Sequence, residues 1–239
     1  MSPPANAMRG IENSDTGQPD NWLSLAFAFV GGYGDAAGFL LAKTFTGHVT
    51  GNLVLAAIAV VAHDWRATFA HFSAVTCFLA GIPLSVLIAR LPAPWPLLTT
   101  VVAIEVTLIM AAYWGVASHA AAGVEILIVC MSLALGLQNG AFRRTGGISV
   151  HTNYLTGMLT GLIASKVEKL TLQVSPGRAI AINSKSGLLS GIWAVFVFGA
   201  VTGAAAVLKF KESAILGAAF ILLAIIVRNS LTARSHATG

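Results

Sequence analysis

Apolar residues fall along the chain in eight blocks, at 22–42, 50–62, 68–89, 97–116, 123–142, 150–165, 188–208 and 213–227, parted by short polar stretches. A helix rises about 1.5 Å per residue, so roughly 20 apolar residues cross a hydrocarbon core of about 30 Å. Six blocks reach or approach that length, the last only marginally. The second and sixth are shorter and open on polar residues, Thr50-Gly51-Asn52 and His151-Thr152-Asn153. Short, glycine-interrupted segments in corresponding places of two halves are the mark of half-helices or re-entrant elements. The pattern predicts an all-α polytopic membrane protein with six full crossings and two short or re-entrant helices, arranged as two inverted repeats. Eight crossings is the alternative. Residues 1–21 are polar and lack the apolar core of a signal peptide, so they read as a disordered tail. The first membrane repeat is placed at 22–117 and the second at 122–228, with a cytoplasmic loop at 166–186 and a C-terminal tail at 229–239.

Composition narrows the class further. Hydrophobic residues make up 56% of the chain and charged residues 10%, against about 25% charged in ordinary soluble domains. The formal charge of +5 does not point to nucleic acid, because the Lys and Arg residues are scattered between apolar blocks rather than gathered on one face. They act instead as orientation signals. If the two short blocks do not cross, ten of the 14 basic residues share a side with the N-terminus, and Lys43, Arg66, Lys209 and Lys211 lie opposite. The eight-crossing arrangement divides them eight to six. The positive-inside tendency favours the first, with a cytoplasmic N-terminus. Cys77 and Cys130 lie inside apolar blocks, where they read as small hydrophobes. No disulfide framework, metal-ligand spacing or cofactor motif is visible.

Candidate chemistry lies in the polar residues inside these blocks. Glu105 sits in the middle of 97–116 and Asp35 inside the first block. Carboxylates at such depth are costly unless they face a protein interior or a water-filled path. Glu105 reads either as a proton-loading acid or as a neutral acid bonded to a backbone carbonyl or Thr107. Glycines at 31, 32, 34 and 38 flank Asp35 and permit close helix approach or local unwinding. Asp35 is therefore a candidate for cation or proton binding, or for capping the next segment or pairing with Arg143 or Arg144. Thr50 and Asn52 open the short segment as N-cap candidates or path-lining residues. His48 beside them is a candidate proton carrier. Gln138, Asn139 and Thr156 are their counterparts in the second half. Arg143 and Arg144 read as a topology or anion anchor. The Gly-x-x-x-Gly pairs at 34/38, 47/51, 136/140, 157/161, 187/191 and 199/203 suit tight helix packing, within one chain or between copies.

The two halves also repeat. Gly32-Tyr33-Gly34-Asp35-Ala36-Ala37-Gly38-Phe39, followed by His48-Val49-Thr50-Gly51-Asn52, is echoed by Gly136-Leu137-Gln138-Asn139-Gly140-Ala141-Phe142, followed by Tyr154-Leu155-Thr156-Gly157. These paired motifs resemble the signature of the YoaK-like family of small bacterial membrane proteins. The resemblance runs from 22 to 227 and implies an integral inner-membrane protein of unassigned biochemical function. It supplies no substrate.

Two function classes follow. One is a secondary transporter or permease, embedded in lipid and coupling an unidentified small solute or ion to protons or cations. It expects Asp35, Asn52, Glu105, Gln138 and Asn139 to converge on one chamber near mid-depth. The other is a non-transporting scaffold whose polar residues lock helices together. An enzyme is not expected, since no Gly-x-Ser-x-Gly or His-Glu-x-x-His spacing occurs.

Overall fold

The computed structural model describes residues 21–92, 96–142, 144–145, 148–149, 155–171 and 176–237. Its helices are α1 (Asn21–Ala42), α2 (Val49–Val61), α3 (Trp65–Ile88), α4 (Leu97–Ala117), α5 (Gly123–Ala141), α6 (Leu155–Thr171), α7 (Pro176–Phe210) and α8 (Ile215–Ala237). One 3-10 turn, Lys211–Ala214, joins α7 to α8. A two-residue antiparallel pairing, Arg144–Thr145 with Ile148–Ser149, follows α5.

Two expectations need correction here. The stretch 166–186 is not a loop throughout: α6 continues to Thr171 and α7 begins at Pro176. Lys and Leu are good helix formers despite the polarity of the stretch, and proline at the first helical position has no amide to lose. The tail expected from 229 is helical to Ala237. The expected tail at 1–21 lies outside the described residues except for Asn21, which opens α1.

Helices α1, α3, α4 and α5, together with a run from Ser186 to Leu231 that holds α7 and α8, are long and apolar enough to cross a membrane. Helix α2, with 13 residues, is about 20 Å long and too short to do so. Large apolar side chains face outward: Phe69, Trp114, Phe198 and Phe220 are each more than three-fifths exposed. Such an outer surface is stable in lipid and would drive association in water.

Inter-helix contacts fix how these elements run. Helices α3 and α5 are parallel, with the backbone of Phe78 against Gly136 and that of Ile82 against Gly140. Helices α1 and α7 are parallel in the same way, with Phe29 against Gly199 and Tyr33 against Gly203. Both seams exist because glycine lets two backbones touch where a Cβ would collide with a carbonyl. Helix α4 runs antiparallel to α5, Gly115 touching Gly123. Helix α5 runs antiparallel to α1, with Phe27 stacked on Phe142 at one end and Gly34 facing Met131 towards the other. Helix α8 runs antiparallel to α1 as well. The Arg228 guanidinium lies 4.1 Å from the Trp22 ring, and the Tyr33 hydroxyl donates to the Ala214 carbonyl at 2.6 Å. The six long helices therefore alternate in direction.

Between α1 and α3 the chain doubles back. After Ala42 a loop returns along α1 as far as Asp35, and α2 then climbs away from it to reach Trp65 at the end where α1 finished. Helix α2 starts inside the bundle and ends at its face.

Candidate functional site

Asp35 anchors this returning loop. It is 3% exposed and lies seven residues, about 10 Å, before the end of α1. Its Oδ1 accepts the backbone amides of Thr46 at 3.0 Å and Gly47 at 2.6 Å, and the Thr46 hydroxyl at 3.3 Å. Its Oδ2 faces Nδ1 of His48 at 2.6 Å. Helix α1 stays unbroken through Asp35, so the neighbouring glycines do not unwind it. Gly38 instead makes room for Thr46, whose methyl carbon occupies the space a Cβ would need.

A second clasp closes the same loop. Asn52, on the first turn of α2, accepts the Phe45 amide at 3.1 Å and donates to the Phe45 carbonyl at 2.6 Å. One side-chain amide thus satisfies both backbone polar groups of one residue, as membrane depth requires. Phe45 stacks on Phe39 with centroids 4.6 Å apart, and the His48 ring packs edge-on to Phe196 of α7. Thr50 behaves otherwise than expected. The N-cap of α2 is His48, no side chain caps the helix, and Thr50 is an exposed second residue. Thr50 lies inside the helix, past the capping position, while Asp35 takes the amides of Thr46 and Gly47 just before it.

Glu105 does not join this clasp. It is 1% exposed, on the face of α4 that also buries Val101, Val102 and Ile109, and its Oε1 has no hydrogen-bond partner among the described residues. Thr107 is no partner for it, since it is exposed and donates to Ala103 of its own helix. Gln138 donates from Nε2 to the Phe27 carbonyl at 3.3 Å, while its Oε1 is unpartnered. Asn139 Oδ1 and Ser132 Oγ are likewise buried without described partners. Gly115 lies against Gly123 and Ile126, so the antiparallel register puts Glu105 on α4 roughly level with 133–136 on α5, within about one turn of Gln138. The expected convergence is thus split. Asp35, His48 and Asn52 meet at the loop, and none of the contacts of Asp35 reaches Glu105, Gln138 or Asn139.

Arg143 lies outside the described residues, as does the Arg144 side chain. Thr156 is in α6, its side chain outside the description as well. Among the buried polar residues that the sequence does not single out as candidates are Ser132 and His71, the latter 6% exposed with Nδ1 3.4 Å from the Thr44 hydroxyl. The signal for His71 was present, because Thr68, His71, Ala74, Val75 and Phe78 recur at helical spacing on the buried face of α3.

Comparison with known proteins places this arrangement. The profile of a family described as "Protein of unknown function (DUF1275)" matches residues 23–228, from the third residue of α1 into α8. The chain belongs to the DUF1275 family. A YoaK-like character is carried by a relative as well: the chain is 28% identical over 174 residues to the UPF0700 transmembrane protein YoaK of Bacillus subtilis (strain 168), covering 68% of this chain and 77% of that protein. No solved structure matches it. With its apolar helices, this DUF1275 member is a multi-pass membrane protein.

Proposed function

We propose that this DUF1275 member is a small-solute secondary transporter or permease of the bacterial inner membrane, coupled to protons or cations, with its N-terminus in the cytoplasm. The observation that carries this reading is the returning loop, which brings the start of a half-helix onto the buried Asp35, paired there with the half-buried His48. Discontinuous helices beginning at a polar residue inside the bilayer are how carriers build sites without exposing backbone to lipid.

An inverted-repeat plan is supported by the two glycine seams. Setting the α1–α7 contact on the α5–α3 contact matches Gly32 with Gly136 and Gly199 with Gly81. Three residues beyond the first pair, Asp35 then falls on Asn139. The alternating long helices, with α2 returning to the end it left, favour six crossings over eight. On α6, Gly161 has nothing within 4 Å, which leaves that face for lipid or for a second copy.

Purified protein in proteoliposomes, given an imposed pH gradient and a panel of small amino and organic acids, should dissipate the gradient with at least one of them. Asp35→Asn and Glu105→Gln should stop it, because each removes an ionisable group while keeping its size. Wild-type rates in both variants would remove these residues from coupling. One observation favours a scaffold: Asp35 and Asn52 direct their bonds into the loop itself. On that reading the same substitutions lower thermal stability, and no solute in the panel moves.

A further inference from the structure

Away from the Asp35 clasp, α3 and α5 leave a cleft between their N-terminal turns. Further along they are held by glycine contacts from Phe78 to Ser85. With the end of α1 they enclose about 510 Å³, within the range of roughly 300–1,000 Å³ typical of small-molecule sites.

The charged groups on this cleft are Lys43, Asp64, Arg66, His71 and Glu125. Three of these five are already engaged. Asp64 Oδ1 accepts the Ala67 amide and caps α3, and Arg66 meets Glu125 at 3.3 Å. Lys43, held at φ 56° where α1 ends, makes no ion pair among the described residues. No side chain caps α5, whose N-cap is Ala122, so the first-turn amides of Val124 and Glu125 are available at the cleft wall. His71 lines the cleft while being 6% exposed. The Thr44 hydroxyl faces the Ala42 carbonyl at 3.3 Å and His71 Nδ1 at 3.4 Å, and in the tautomer protonated at Nδ1 the ring donates to it. Nε2 is left without a partner among the described residues, as a hydrogen-bond acceptor in the neutral ring.

We infer that this cleft binds a small molecule carrying an anionic group and a neighbouring hydroxyl on an apolar body. The anion sits between Lys43 and the start of α5, the hydroxyl donates to His71 Nε2, and the body packs on Leu41, Ala70 and Ile128. A free hydroxy acid and the head of phosphatidylglycerol share this chemistry. The site does not depend on transport: saturable binding with no flux would keep it and refute the carrier.

The test is binding to the full chain in phosphatidylcholine nanodiscs, using 2-hydroxyisocaproate, isocaproate and 2-hydroxyisocaproamide as probes. The hydroxy acid should bind, and loss of either the hydroxyl or the charge should weaken it roughly tenfold, the worth of one charge-assisted hydrogen bond. Lys43→Gln, at an exposed position, should abolish the preference for acid over amide. His71→Phe should abolish the preference for the hydroxyl. Adding phosphatidylglycerol to the discs assigns the source: displacement of the probe points to a lipid head, undisturbed binding to a free solute. No saturable binding to the wild type, or unchanged selectivity in Lys43→Gln, would overturn the site.

Discussion

Gly136→Ala should cost this protein its fold. A Cβ there collides with the Phe78 carbonyl, and the next nearest atoms are also Phe78 backbone, which has no rotamer to escape into. Helices α3 and α5 must separate, so the loss exceeds the usual 1–3 kcal/mol of overpacking. Gly199→Ala, which meets the Phe29 carbonyl in the other seam, should do the same. Gly161→Ala is the control. Nothing lies within 4 Å of it, and alanine in place of an exposed helical glycine is stabilising by up to about 1 kcal/mol. Size-exclusion profiles and melting temperatures in detergent check this, and a monodisperse, wild-type-like Gly136→Ala would show that α3 and α5 do not touch as described.

Asp35→Ala should release the returning loop. The substitution leaves the Thr46 and Gly47 amides and the His48 ring without their acceptor. Removing one partner of a buried pair costs about 3–5 kcal/mol, most of it the desolvation of what remains. The loss should be local first. Protease sites or cysteine labels placed between 43 and 48 should become reactive while the glycine seams hold. Asp35→Asn should retain part of the stability, since its carbonyl oxygen still accepts an amide. Equal labelling of wild type and Asp35→Ala would mean that the loop is held by Asn52 and the phenylalanines alone.

Much of this was legible in the residues. A block of 21 apolar residues has one stable form in lipid, so the long helices, their approximate ends and the class of protein follow from local composition. The shortness of 50–62 is matched by a 13-residue helix, Val49–Val61, and the glycine motif of each half lies in a seam of close backbone contact. The loop expected at 166–186 and the tail expected from 229 are helical over 166–171, 176–186 and 229–237, because helix propensity sustains α6, α7 and α8 beyond the apolar runs.

The site was legible in part. Asp35, His48 and Asn52 stand out as polar residues around a short apolar helix, and all three meet at one loop. Their partners were not readable: that Asp35 takes the amides of 46 and 47, and that Asn52 reaches back to Phe45, depends on where the chain turns. Glu105 stood out equally, yet it lies on another helix, within about one turn of Gln138.

What the order of residues determined alone is the partition into lipid-compatible helices and the location of the costly polar groups, since both depend on nearest neighbours and on the bilayer as solvent. What only the tertiary structure decided is which of those groups meet. Helix rotation is set by backbone contacts at Gly32, Gly136 and Gly199, between residues far apart in the chain, and the depth of the returning loop by the Thr46 side chain seated on Gly38. Long-range packing therefore separated Asp35 from Glu105 and opened the cleft beside His71.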